Sequence, residues 1–231
     1  MSVFAIADLH LSLGTDKPMD VFKGWTNYVD RLEQSWRLLV KPEDTVVIAG
    51  DISWAMKLEE TEADLAFLHS LPGRKLLLKG NHDYWWSTKT KINNFLAEKG
   101  YTDIEIIHNS AVKIGNIGIC GSRGWMYNSD SEEDKKIINR EVGRIRTSIE
   151  ECIKLGIEPV VFLHYPPVYD VFVCHEILNL LKEYNITECY FGHIHGAQAA
   201  KRAIQGEYDG IAMHLISCDY LNFTPILVKK E

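Results

Sequence analysis

Lys75-Leu76-Leu77-Leu78-Lys79-Gly80-Asn81-His82-Asp83 passes from a short apolar segment directly into a turn that carries an amide, an imidazole and a carboxylate. An apolar run this short, stopped by glycine, has the length of a buried strand and is too short for a helix. The same arrangement recurs on both sides of it. Val3–Ala7 leads into Asp8-Leu9-His10, and Thr45–Ala49 leads into Gly50-Asp51. Val160–Leu163 leads into His164, and Cys189–Phe191 leads into Gly192-His193-Ile194-His195.

Segments with helical spacing separate these strands. One carries Tyr28, Leu32, Trp36 and Leu39; another carries Leu58, Leu65 and Leu68. A third has Ile92, Phe95 and Leu96, with Gly100 at a C-cap position. The longest has Ile138, Val142, Ile145, Ile149 and Ile153, closed by Gly156, and a last one spans His175–Tyr184. Further strands are expected at Ile104–Ile107, Ala111–Ile114, Ile117–Cys120, Ile211–Ile216 and Pro225–Val228, with a tight turn at Ile114-Gly115-Asn116-Ile117. The polar stretch Asn128–Lys136 reads as a surface loop before the long helix. Strands alternating with helices predict an α/β fold built on a largely parallel, buried sheet. The hairpin and C-terminal strands predict a second, more antiparallel sheet packed on it. No repeat, linker or composition break marks a second domain, so residues 1–231 are expected to form one.

The composition is that of a globular protein: 231 residues, 46% apolar and 25% charged. No apolar run approaches the ~18 residues of a membrane helix. The N-terminus lacks a basic segment before its apolar run and reads as a first strand, not a signal peptide. Five widely spaced cysteines without a CxxC pair read as reduced, buried thiols of a cytoplasmic protein. A net charge of −7 argues against a broad basic face for nucleic acid or an anionic membrane. It leaves room for a phosphate-bearing substrate if bound metals supply local positive charge.

Asp8, His10, Asp51, Asn81, His164, His193 and His195 all fall just past predicted strand ends, the edge at which open α/β sheets build ligand sites. Carboxylates, neutral imidazoles and an amide oxygen suit divalent manganese, iron or zinc better than calcium. Manganese is the first expectation, and iron, zinc, nickel or magnesium also fit. Seven ligands are too many for one ion, whereas two ions sharing a bridging carboxylate would use them all. Paired ions ~3.5–4 Å apart serve phosphate ester hydrolysis. Two divalent ions against two carboxylates and a bridging hydroxide leave a site that is still positive, and so able to accept a phosphate dianion.

In this order, Asp-x-His, Gly-Asp, Gly-Asn-His-Asp, His and Gly-His-x-His resemble the calcineurin-like metallophosphoesterase superfamily. The motifs run from residue 8 to residue 195. The resemblance implies a four-layer α/β/β/α sandwich with mixed sheets and a dinuclear metal centre. It implies that Asp8, His10 and His195 hold one ion, that Asn81, His164 and His193 hold the other, and that Asp51 bridges them. His82 would then face the substrate phosphate as the catalytic residue. The Ser/Thr protein phosphatases of this superfamily carry Asp and Arg soon after the Gly-Asp pair, whereas this chain has Ile52-Ser53-Trp54. A small phosphomonoester or phosphodiester is therefore expected as substrate in preference to a phosphoprotein. The same departure removes the usual partner of His82, for which Asp83 is one substitute.

Other residues keep two readings open. Trp54, Trp85, Trp86 and Trp125 either pack loop bases or form a stacking rim for a flat group. Arg123, in Gly121-Ser122-Arg123-Gly124-Trp125, is either structural or forks onto phosphate. His69, His108, His175 and His214 lack motif context and read as surface or packing residues. Two other function classes compete with the hydrolase. An inactive scaffold would be expected to have lost ligands, and a nuclease to carry basic surface or extra domains; neither is seen.

Overall fold

In the computed structural model, which describes residues 1–125 and 131–230, the apolar runs pair side by side into two main sheets. The first sheet takes β1 (Ser2–Ile6), β2 (Thr45–Ala49), β3 (Arg74–Leu78) and β4 (Ile104–Ile106), all parallel. The segments between them are α1 (Tyr28–Leu39), a 3₁₀ turn (Leu58–Thr61) running into α2 (Glu62–Ser70), and α3 (Lys89–Lys99). α1 buries Tyr28, Leu32 and Trp36, one residue per turn on a single face. α3 is opened by Thr88, whose hydroxyl accepts the Lys91 N–H at 3.4 Å. It is closed by Gly100 at φ 75°, a left-handed stop that glycine adopts without strain.

The second sheet begins with the hairpin β5 (Val112–Ile114) and β6 (Ile117–Ser122). Helix α4 (Glu132–Lys154) follows, capped by Ser131, whose hydroxyl accepts the Asp134 N–H at 3.1 Å. Acidic residues fill its first turn and Lys154 its last, as the helix dipole favours. The expected loop Asn128–Lys136 is therefore half helix: Glu132 onward belongs to α4, and residues 128–130 lie outside the described residues. The chain continues through β7 (Glu158–Leu163), the two-residue strands β8 (Val168–Tyr169) and β9 (Phe172–Val173), and α5 (His175–Glu183). It then forms β10 (Glu188–Phe191), the short α6 (Ala197–Ala200), β11 (Gly206–Tyr208), β12 (Ile211–Leu215) and β13 (Ile226–Lys230).

Two expectations need correction. The second sheet, ordered β11-β12-β10-β7-β6-β5, is parallel through its centre and antiparallel only at its two edge pairs. The last strand, β13, joins the first sheet, antiparallel to β1. Its half-exposed residues suit an edge strand, and nothing in its composition names its neighbour.

Three apolar clusters order the layers. Phe4, Ile6, Val46 and Ile48 of the first sheet pack with Leu32 and Trp36 of α1. Ala5, Val47, Leu76 and Leu78 point the other way and meet Ile119, Val160 and Phe162 of the second sheet. Val161 and Leu163 pack with Ile145 and Ile149 of α4 and Ile177 of α5. The sequence of layers is helix, sheet, sheet, helix, because alternate residues of a strand face opposite sides. All five cysteines are free and buried. Among the described residues, no helix is long and apolar enough to cross a membrane.

Candidate metal centre

The parallel strands of both sheets end at one rim, and the seven predicted ligands stand on it. Asp8 and His10 follow β1, Asp51 follows β2, and Asn81 follows β3. His164 follows β7, and His193 and His195 follow β10. The turns are tight. Asp8, His10, Asp51 and His193 adopt left-handed φ of 62°, 46°, 50° and 70°. Such backbone costs on the order of 1–3 kcal/mol per residue and persists only where its surroundings enforce it. Cross-ties between loops enforce it here. The Asp8 N–H donates to Gly50 O and the His10 N–H to Asp51 O, both at 2.9 Å, and the His193 N–H donates to the Asp8 carboxylate at 2.9–3.0 Å. Close approach also explains two motif glycines. A Cβ on Gly80 would collide with the Asp51 carboxylate, and one on Gly192 would lie 2.5 Å from Asp8 Oδ2.

Two groups of donors result. Asp8, His10 and His195 place one ligand atom each within 4.8 Å of one another, and so do Asp51, His164 and His193. Asp51 Oδ2 lies between the groups, 3.7 Å from His10 Nε2 and 3.4 Å from His164 Nε2. Asn81 completes the second group, its Oδ1 lying 2.7 Å from His164 Nε2. Asp8, His10, Asp51 and His164 are buried.

The chemistry of these donors fits divalent cations. His164 Nδ1 donates to Ala49 O at 3.1 Å, so Nε2 carries a lone pair and points it at the Asn81 and Asp51 oxygens. His195 Nδ1 donates to Asp219 Oδ1 at 2.9 Å, which leaves its Nε2 lone pair facing His10 Nε2 at 3.2 Å. Converging acceptors repel unless a cation sits among them. The electrostatics agree. Burial pushes the Asp8 carboxyl above its ordinary pKa, and burial followed by the nearby Asp8 charge pushes Asp51 up further. Burial and then neighbouring imidazoles push His10, His164 and His193 down. For His195, burial opposes the proton, but Asp8 and Asp219 outweigh it and the value is raised. Without positive charge the carboxylates would have to take up protons; with it they ionise beside the His10, His164 and His193 imidazoles, which burial keeps neutral.

Asp219 escaped the sequence reading. It accepts from both His195 Nδ1 and the Gly196 N–H, at 2.9 and 2.8 Å, and so fixes the orientation of the His195 ring. The rule that found the other ligands could have found it, since it follows the predicted strand Ile211–Ile216; no second chemical residue flagged it. Asp83 is not the partner of His82. Its carboxylate accepts from the backbone N–H groups of Gly80, Ile52 and Ser53 and from Trp85 Nε1, at 2.7, 2.8, 3.3 and 3.0 Å. It pins the loops after β2 and β3 together. His82 Nδ1 is buried without a partner among the described residues.

The tryptophans divide. Trp54 stacks on His10 at 4.9 Å and lies 4.5 Å from His82. Trp85 and Trp86 pack against each other at 5.1 Å and belong to the first core, and Trp125 lies edge-on to Tyr165. Trp25, which the sequence did not single out, meets His10 and His195 at 5.9 and 5.7 Å. Met19, Phe22, Trp25 and Trp54, with His10, His82 and His195, line a cavity of about 380 Å³ beside the donor cluster. Arg123 lies outside that cavity, over the Trp125 ring at 5.0 Å. His69 pairs with Asp103, His175 is exposed, and His214 stacks on Tyr190 at 4.4 Å.

Comparison with known proteins agrees with this fold. A protein of unknown function from Aquifex aeolicus, AQ665, is 17% identical and superposes with a TM-score of 0.53, over 98% of this chain and 95% of that one. The phosphopantetheinyl hydrolase of Mycobacterium tuberculosis is 13% identical, with a TM-score of 0.57 over 100% of this chain and 96% of that one. Both likenesses are of fold. No curated protein matches the sequence. Residues 1–197 match the calcineurin-like phosphoesterase family, and this chain belongs to that family of metal-dependent phosphoesterases.

Proposed function

We propose that this protein hydrolyses a small phosphomonoester or phosphodiester at a dinuclear metal centre, and that residues 1–231 form a single calcineurin-like phosphoesterase domain. In this reading Asp8, His10 and His195 hold one divalent ion, Asn81, His164 and His193 hold the second, and Asp51 bridges. The observation that carries it is the position of Asp51 Oδ2 between two groups of donors, at 3.7 and 3.4 Å from an imidazole nitrogen of each. Manganese is the first candidate for both ions.

When bound, two such ions supply a nucleophile at neutral pH and neutralise charge on the phosphoryl oxygens. The chain's own residues do the rest. With His82 Nδ1 buried, Nε2 is the ring nitrogen left to meet the substrate. Burial, then His195 and Lys17, hold the His82 pKa below its ordinary value. A phosphate dianion arriving beside it favours the imidazolium, which can hydrogen-bond a phosphoryl oxygen and protonate the leaving oxygen. Trp25, Trp54, Met19 and Phe22 offer an apolar wall to the leaving group, in a cavity of a size that suits a small molecule.

A hydrolysis screen of the metal-reconstituted protein tests this reading. Nitrophenyl monoester and diester substrates, run beside nucleotides and phospholipid head groups, should show metal-dependent turnover of at least one small ester. Turnover confined to phosphoproteins or nucleic acids, or absent with every metal, would contradict it.

A further inference from the structure

A second cavity, of about 50 Å³, lies where the loops after β4 and β6 meet, and Lys79, His108, Asn109, Ser122, Arg123 and Arg144 line it. Three of these side chains are cationic. One buried carboxylate, Glu141, answers them: it pairs with Arg144 at 2.5 Å, lies 3.6 Å from Arg123 Nη2 and accepts from Ser122 Oγ at 2.8 Å. The half-buried Lys79 ammonium has no hydrogen bond or ion pair among the described residues. Arg123 Nε is buried and unpartnered. A half-buried ammonium and two guanidiniums gather around a void lined, among the described residues, by no carboxylate; Glu141 pairs with the guanidiniums, and Glu141 and Asp83 act on Lys79 only through space. An oxyanion in that void would partner all three cations.

The chain ties the cavity to the Asn81–His164 side of the metal cluster. Lys79 precedes Asn81 by two residues, and Arg123 O accepts the N–H groups of His164 and Tyr165 at 3.1 and 2.8 Å. The aromatic cavity lies on the other side, against His10 and His195. We propose that this second cavity binds a phosphate-class oxyanion, separate from the phosphoryl group at the metal centre. That anion is either a second phosphate of the substrate or free inorganic phosphate. The site stands on its own side chains; its link to catalysis rests on the function proposed above.

Equilibrium dialysis of the metal-loaded protein against labelled inorganic phosphate counts the sites. The wild type should bind two phosphates per chain. Lys79→Gln and Arg144→Gln should each weaken one of them at least about tenfold while metal content stays unchanged. Lys79→Gln should also melt no lower than the wild type in phosphate-free buffer, because it removes an unpaired charge; this separates lost binding from misfolding. Asp51→Asn should remove the other phosphate and spare this one. If Asp51→Asn leaves the count unchanged while Lys79→Gln lowers it, the metal-centre reading fails and the cavity site stands. One phosphate per chain in the wild type, or a count untouched by both Lys79→Gln and Arg144→Gln, overturns the proposal. Displacement by adenosine 3′,5′-bisphosphate and by adenosine 5′-monophosphate separates the two sources. A bisphosphate preference of about tenfold that Lys79→Gln abolishes assigns the second phosphate to the substrate. Equal displacement of one phosphate by the two nucleotides, with the cavity phosphate still bound, assigns free phosphate.

Discussion

Asp51→Asn is expected to disable both halves of the metal centre and to lower turnover on the order of 10³-fold or more. The argument is electrostatic. Asp51 is one of two buried carboxylates in the donor cluster, and its Oδ2 is the oxygen placed between the two groups. An amide in its place is nearly the same size and can still accept the His82 N–H that Asp51 Oδ1 holds at 2.7 Å, so the loop is kept. What disappears is a full negative charge shared by two cations in a water-poor site. Removing one partner of a buried charge interaction costs about 3–5 kcal/mol, which corresponds to two to four powers of ten in rate. His10→Ala removes one neutral ligand from one ion and should leave clearly more activity. Turnover of both variants at saturating metal checks this, and comparable residual activity would count against a bridging Asp51.

The second large effect is expected at His82. Its ring lines the aromatic cavity, 5.6 Å from the His10 ring, but it belongs to neither donor group. Asn81 and His82 are adjacent, and their side chains diverge: Asn81 meets His164, whereas His82 lies against Trp54. His82→Ala should therefore keep the metals and lose turnover. General acid assistance contributes ~10²–10⁴-fold, or about 3–5 kcal/mol of barrier. The loss should be largest for an alkoxide leaving group and shrink for nitrophenolate, which departs with little protonation. Equal losses for both would confine His82 to an electrostatic role on the phosphoryl oxygens. Loss of a metal ion in the variant would overturn the assignment.

The strand ends were legible because two signals coincide there. An apolar run such as Thr45–Ala49 has the length of a buried strand, and the residue that follows its glycine, Asp51, is costly to bury without a charge partner. Asp219 also follows a predicted strand, Ile211–Ile216, but at a distance of three residues and with no motif around it, and one carboxylate past one strand is commonplace. Trp25 lies between Met19 and Tyr28, where no periodicity predicts an element, so its approach to His10 and His195 belongs to tertiary structure. The cationic cavity joins a strand end at Lys79 to a helix face at Arg144, and no local pattern links positions so far apart. Sheet membership was the weakest inference. Both Ile211–Ile216 and Pro225–Val228 read as strands, but only packing decides that the first lies beside β10 and the second beside β1. Asp83 shows the opposite difficulty. Its place beside His82 suggested an orienting partner, and the local turn instead turns its carboxylate onto the Gly80, Ile52 and Ser53 N–H groups.

Metal stoichiometry tests the dinuclear centre most directly. Elemental analysis of protein purified without chelator, followed by titration with manganese, should approach two ions per chain. A limit of one ion or none at saturating metal would contradict a site in which Asp51 joins two groups of ligands.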